Sequence, residues 1–318
     1  MGAAAKWVRV RPVLAFFLFT FTITYVCWVP MMASQRGWWA LDLPLLYFVG
    51  GLGPGIAAYI VMRLLRGSDA GQALFGPLLR WRVGVWWYVV ALLLFVGIWL
   101  LATTVAGDLD EELTALGPWM AFLAAVVRYT LAAVPEEVGW RGFAVPALQV
   151  RHSALVAALV VGVAWWLWHL PLLLGGDEAM SQYPLLPHFV YVVSASVLYV
   201  WLYNNTGGSL LLAVLAHAVS NIVGVFSSAP VATAVITACL AATVVVVYGP
   251  ANLSRTKNRE TSTVTSLEPP CLRSPRPLGS PTLVSVQPHN VRGRSDEQGD
   301  EQGWVVRGRA RCLEGASR

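Results

Sequence analysis

The sequence predicts an all-α, polytopic membrane protein: a bundle of about eight transmembrane helices around an intramembrane polar cavity. Composition and the spacing of apolar runs carry that expectation. Of 318 residues, 57% are hydrophobic and 12% are charged, against roughly 25% charged in an ordinary soluble domain. Mean hydropathy is +0.61. A helix crossing a bilayer needs about 20 apolar residues. Runs of that kind recur along the first four-fifths of the chain.

In chain order the expected spans are 13–32, 44–65, 83–105, 118–148 with polar interruptions, 154–174, 186–203, 209–226 and 231–248. The first follows Lys6, Arg9 and Arg11 and so resembles a signal peptide. Its apolar run exceeds the 7–15 residues of a signal core, and no small-x-small site closes it, so it reads as a retained helix. The last two spans are separated by Ser227–Pro230, which implies a tight hairpin. The loop "RGSDAGQALFGPLLRWRVG" (Arg66–Gly84) reads as a plain connection or as a short amphipathic segment in the interface plane.

Charge placement tests the count. If the N-terminus is inside, the inner segments hold Lys6, Arg9, Arg11, Arg63, Arg66, Arg80, Arg82, Arg151, Arg255, Lys257 and Arg259. The outer loops then hold Arg36 alone, with Asp42, Asp108, Asp110, Glu111, Glu112, Asp177 and Glu178. Lys/Arg bias fixes orientation. The expectation is a multi-pass plasma-membrane protein with both termini cytoplasmic.

Residues 1–252 carry eleven Lys/Arg and ten Asp/Glu, whereas residues 253–318 carry eleven and seven. The net charge of +5 therefore comes mostly from the tail, and no nucleic-acid partner is implied. From 253 onward the chain is rich in Pro, Ser and charge without periodicity, and reads as a disordered, polar cytoplasmic tail. Domain organisation is thus 1–252 transmembrane and 253–318 tail. Cys27, Cys239, Cys271 and Cys312 form neither a CxxC pair nor a disulfide framework.

Ionisable groups inside a span are costly and mark function by default. Within the spans the acids are Glu136 and Glu137, and the bases are Arg128 and Arg141. At about 100° per residue, Glu137 and Arg141 stand roughly 40° apart on one face, whereas Glu136 lies roughly 140° from Arg141. One carboxylate should be paired and the other free. Arg128 could add positive potential or simply pack toward the bundle. "WWLWH" places His169 one turn after Trp165, and "HAVSN" places His217 and Asn221 at i, i+4 on one face. Taken singly, each has a plain reading: a buried ion pair, a satisfied core histidine, a helix–helix hydrogen bond. Counted from the inner helix ends, Glu136, His169 and His217 lie roughly 18, 24 and 13 Å deep at 1.5 Å per residue. One cavity near mid-membrane could hold all three.

"EEVGWR", "WWLWH" and "HAVSN", in that order, together resemble the CPBP family. It comprises type II CAAX prenyl endopeptidases and bacterial bacteriocin-processing and immunity (Abi) proteins. The resemblance covers about residues 44–248. Trp165 stands where the family usually has phenylalanine, and the tail is no part of the pattern. The resemblance implies an intramembrane endopeptidase. It makes Glu136 the general base that activates water with His169, and makes His217 and Asn221 the oxyanion site. Glu137, Arg141 and Trp165 support them.

Family members are often labelled metalloproteases, and Glu136, His169 and His217 would be the ligands of a zinc. A glutamate-activated water needs no metal, and the sequence lacks HExxH, so no cofactor is favoured. The expected partners are a peptide or membrane-protein substrate and the lipid bilayer. Two alternatives are a non-catalytic immunity or scaffold protein of the same family, and a proton-coupled transporter. The latter would bring discontinuous helices and repeat symmetry.

Overall fold

The structure is a computed structural model of the chain, and it describes residues 2–39, 45–110, 119–177, 180–225 and 228–255. The expected tail falls almost wholly outside these residues. The described residues are helices, turns and bends, without a strand.

Two N-terminal helices, α1 (Ala3–Val10) and α2 (Pro12–Gln35), lead into α3 (Leu45–Gly51) and α4 (Gly53–Arg66). A short helix α5 (Ala70–Phe75) precedes α6 (Val85–Ala106). Then α7 (Trp119–Gly139) runs through a π-turn at Trp140–Ala144 into α8 (Val145–Gln149). Finally come α9 (Ala154–Trp168), α10 (Leu185–Asn205), α11 (Leu210–Val225) and α12 (Pro230–Tyr248). Local chemistry explains several boundaries. Pro12 opens α2, where its missing N–H costs nothing. Ser153 caps α9 by accepting from the Val156 N–H at 3.2 Å.

Among the described residues, five helical stretches are long and apolar enough to cross a membrane: Pro12–Gln35, Val85–Ala106, Ala154–Gly175, Leu185–Asn205 and Pro230–Tyr248. A sixth is added if the stretches Leu45–Gly51 and Gly53–Leu79, bent by 44°, count as one. All eight expected apolar runs form helices, and the two that are not among these stretches differ from them in charge or in length. The helix α7 carries Arg128, Glu136 and Glu137, with Arg141 in the turn that continues it. The helix α11 has 16 residues, which is about 24 Å at 1.5 Å per residue, short of a ~30 Å hydrocarbon core. Both carry polar groups of the centre.

The outer faces of the bundle expose large apolar side chains such as Leu93, Leu131 and Val246. That is the pattern of a lipid-facing surface. Inside, small residues let the backbones approach. A Cβ on Gly139 would lie 2.5 Å from Pro54 Cβ, and one on Gly55 would lie 3.0 Å from Pro135 Cβ. The two Gly/Pro pairs therefore clamp α4 against α7 just where the glutamates sit. On the other side of the bundle, Ala157, Ala158 and Val161 are fully buried where α9 packs on α10. Ser196 Oγ donates there to the Ala158 carbonyl at 2.8 Å.

The expected amphipathic loop is short helix and turn, with Ala70 and Leu74 buried and Phe75, Leu79 and Trp81 exposed. Arg36, the lone base of the expected outer loops, donates from Nε and Nη2 to the Leu174 carbonyl at 2.8 and 2.5 Å. It thus satisfies a carbonyl at the end of the stretch that follows α9, where a cation is also favoured by the helix dipole.

Candidate active site

Glu136 and Glu137 sit in the last turn of α7, immediately before the π-turn. Local π-helix often marks a functional position. Glu137 Oε1 accepts from Arg141 Nη1 at 2.8 Å, and both side chains are 0% exposed. The i, i+4 pairing read from the sequence is present despite the wider turn. The same oxygen accepts from His217 Nδ1 on α11, also at 2.8 Å. One carboxylate therefore ties α7 to α11 and faces two cationic or potentially cationic groups. The Arg141 guanidinium is further enclosed between the rings of Trp165 and Tyr199, 4.6 and 4.4 Å from their centroids. Such stacking offsets part of the cost of burying its charge.

Glu136 faces elsewhere, as its helical angle requires. Its Oε2 accepts from the Trp165 indole N–H at 2.8 Å and stands 4.0 Å from His217 Nε2. Trp165 is thus more than a wall: phenylalanine at this position could not make that hydrogen bond. The ring of Trp165 also packs edge-on to His217, at 5.2 Å between centroids, and lies 5.8 Å from His169.

His169 ends α9, and the reason is local. Pro171 has no N–H to give to the Leu167 carbonyl (i−4). The Tyr25 hydroxyl donates to that carbonyl instead, at 2.5 Å. The chain then runs through a π-turn to Gly175, whose φ of 110° is open to glycine. At this break His169 Nδ1 lies 2.9 Å from the Trp165 carbonyl. A carbonyl only accepts, so Nδ1 carries the proton and Nε2 keeps its lone pair. The same logic places a proton on His217 Nδ1, facing the Glu137 carboxylate. Asn221, one turn beyond His217, is half-buried.

The structure therefore brings Glu136, Glu137, Arg141, Trp165 and His217 into direct contact, with His169 against the Trp165 ring. Asn221 lies on the His217 face of α11. Arg128 stands apart, exposed, with its guanidinium over the rings of Tyr47 and Tyr129. Three further groups belong to this centre and were not picked out from sequence. Tyr199 packs 5.8 Å from His217, and its hydroxyl pairs with Ser220 Oγ at 2.8 Å. Ser220 in turn donates to the His217 carbonyl. His188 lies 6.0 Å from the His169 ring. Ser220 adjoins Asn221 in "HAVSN", which was an available signal. For Tyr199 and His188 the signal is weaker, a polar ring in an otherwise apolar helix.

The zinc set was Glu136, His169 and His217. Two ligands of one tetrahedral zinc at ~2.0–2.2 Å stand roughly 3.3 Å apart, whereas Glu136 Oε2 and His217 Nε2 are 4.0 Å apart. Among the described residues no group of three or more His, Cys, Asp or Glu is placed to hold a metal.

Charge this deeply enclosed among membrane-length helices defines an all-α, polytopic membrane protein built around an internal polar centre. Residues 117–223, which contain every candidate residue, match the family described as "Type II CAAX prenyl endopeptidase Rce1-like". The chain is also 24% identical over 223 residues to "CAAX prenyl protease 2" of Methanococcus maripaludis, covering 65% of this chain and 82% of that relative.

Proposed function

We propose that this protein is an intramembrane endopeptidase that hydrolyses a peptide bond with a water activated by Glu136. One observation carries the reading. Glu136 is a buried carboxylate whose Oε2 is oriented by the Trp165 N–H and faces His217 Nε2 across 4.0 Å. Two polar atoms at that separation can share one water. Carboxylate, imidazole and amide donors held in an enclosed site are what peptide hydrolysis needs.

In this reading Glu136, with His169 Nε2 as a second acceptor, takes the proton of the attacking water. The hydroxide bonds to the carbonyl carbon, and negative charge develops on the carbonyl oxygen. The Asn221 amide and His217 donate to that oxygen. His217 can do so from Nε2 only when both its nitrogens are protonated. The Glu137 carboxylate at Nδ1 is the group that stabilises that imidazolium. When the intermediate collapses, the C–N bond breaks and Glu136 returns its proton to the leaving amine. Arg141 fixes Glu137, and Trp165 fixes Glu136. No step in this reading uses a metal.

The test is purified protein with a quenched fluorescent peptide library, run against Glu136→Ala and against chelator. Cleavage should vanish in the variant and survive chelation. Cleavage that survives Glu136→Ala sinks the assignment. Cleavage abolished by chelator and restored by zinc overturns the metal-free mechanism.

A further inference from the structure

At one end of the bundle the segment after α12 folds back into the protein. The carbonyls of Ala251 and Pro250 accept from the backbone N–H groups of Ala154 and Leu155, at 2.8 and 3.1 Å. These donors belong to the first turn of α9, where no intrahelical partner exists. Two asparagines at the end of α10 complete the hold. The Asn204 amide donates to the Asn252 carbonyl at 2.7 Å, and the Asn205 amide to the Leu253 carbonyl at 2.8 Å. Leu253 is fully buried, and Ser254 Oγ donates to Asn205 Oδ1 at 3.2 Å. Arg255 thus follows a fixed anchor, and its guanidinium lies over the Tyr248 ring, 5.4 Å from the centroid.

From Arg255 a row of rings crosses three helices to a second arginine. Tyr248, the last residue of α12, packs on Trp201 of α10 at 5.6 Å, and Trp201 on Trp87 of α6 at 5.4 Å. Beside Trp87, the Tyr88 hydroxyl donates to the Trp81 carbonyl at 2.7 Å. Arg82 lies over the Trp81 ring, 5.2 Å from its centroid. Both arginines are exposed, as are Trp81, Trp86, Val246 and Val247 around the row. Aromatic rings gathered with cations at helix ends are the pattern of a membrane–water interface. The helices that form the row carry no acid. Between Asp69 and Asp108, and again between Glu178 and Glu260, the sequence has no acidic residue. In the middle of the row Trp201 is 9% exposed, and its indole N–H has no hydrogen-bond partner among the described residues. A buried donor without an acceptor is costly.

We propose that this row is a seat for anionic phospholipid, with phosphate oxygens held by Arg82 at one end and Arg255 at the other. Complementarity selects the partner. A guanidinium binds phosphate oxygens in a planar fork, and basic groups between membrane helices suit anionic headgroups. A zwitterionic headgroup sets its own ammonium against the two arginines and is disfavoured. The acyl chains lie along the exposed apolar faces of α6 and α12, which carry Leu93 and Val246. An ester or phosphate oxygen satisfies the Trp201 N–H when Trp87 or Tyr248, both half-buried, turns aside. The seat does not depend on the endopeptidase reading.

The experiment uses the full chain in a neutral detergent. Dioleoylphosphatidylglycerol or dioleoylphosphatidylcholine is titrated in, melting is followed by tryptophan fluorescence, and native mass spectrometry detects retained lipid. Phosphatidylglycerol should raise the melting temperature with saturation and remain bound, and phosphatidylcholine should do neither. Equal effects of the two lipids overturn the proposal. The double variant Arg82→Gln, Arg255→Gln should weaken phosphatidylglycerol binding about tenfold or more. The double variant Arg9→Gln, Arg11→Gln removes the same charge from exposed positions outside the row and should bind as the wild type does. Equal weakening in both double variants shows diffuse attraction and overturns the seat. Inorganic phosphate at the same concentration should leave the melt unchanged; a shift that matches phosphatidylglycerol and is lost with Arg82 and Arg255 makes this a free-phosphate site and overturns the lipid assignment. If the Arg82, Arg255 double variant does not fold, the single Arg255→Gln variant decides, and unchanged phosphatidylglycerol affinity there overturns the proposal.

Discussion

Replacing Glu137 by alanine removes the carboxylate that Arg141 and His217 share. Both Glu137 and Arg141 are 0% exposed, and their contact is 2.8 Å long. Arg141 would keep its two aromatic faces but lose its counter-charge. Breaking a buried pair by removing one partner typically costs about 3–5 kcal/mol. In a chain of this size each kcal/mol moves the melting temperature by about 2–4 °C, so the loss is roughly 6–20 °C. Glu137→Gln keeps the shape and one acceptor, so its cost is smaller, about 1–3 kcal/mol. Glu136→Ala removes an acceptor from the Trp165 N–H alone and should move the melt least. The assay is intrinsic tryptophan fluorescence of the purified, detergent-solubilised protein on heating. The expected order of destabilisation is Glu137→Ala, then Glu137→Gln, then Glu136→Ala. A Glu137→Ala protein that melts with the wild type would refute the reasoning that Glu137 is the tie between α7 and α11.

Other outcomes follow from the same contacts. Trp165→Phe keeps the aromatic wall but removes one hydrogen bond to a carboxylate, worth about 1.5–3 kcal/mol. The melt should come about 3–12 °C earlier, and peptide cleavage should fall roughly 10- to 100-fold in kcat where the same bond orients the base, since 1.36 kcal/mol is tenfold in rate; an unchanged kcat would show that the indole donor is idle. Gly139→Ala puts a methyl group against Pro54 backbone and side chain within 2.7 Å. Forcing α4 and α7 apart should cost about 1–3 kcal/mol, seen as an earlier melt, whereas Gly97→Ala, which meets nothing within 4 Å, should melt with the wild type. Tyr25→Phe leaves the Leu167 carbonyl at the Pro171 break unpaired and should lower stability by about 1 kcal/mol.

The sequence was most readable where a relation lies within one helix. The spacing of Glu137 and Arg141 sets their angle, and the pair forms as that angle requires. The same angle left Glu136 without a local cation, and it faces a different neighbourhood. Relations between helices were not readable. Nothing in "WWLWH" says that the Trp165 N–H turns toward α7, because rotation of α9 about its axis is set by packing against α10. The π-turn after Glu137 was equally hidden: a run such as "GWRGFA" has no periodicity that separates π from α. Hydropathy located α11 but not its length: a window average cannot tell a long apolar helix from a 16-residue one that carries the polar centre. His188 was visible as a residue but not as part of the site, since only the break at Pro171 brings His169 next to it.

The account turns on the division of labour between two adjacent carboxylates. The most direct measurement is the rate of peptide cleavage by Glu136→Gln, which changes one oxygen to an amide nitrogen, alongside its melting temperature. An amide cannot take a proton from water, so cleavage should be lost while the protein melts close to the wild type. Cleavage retained by a well-folded Glu136→Gln protein would contradict the assignment of Glu136 as the base.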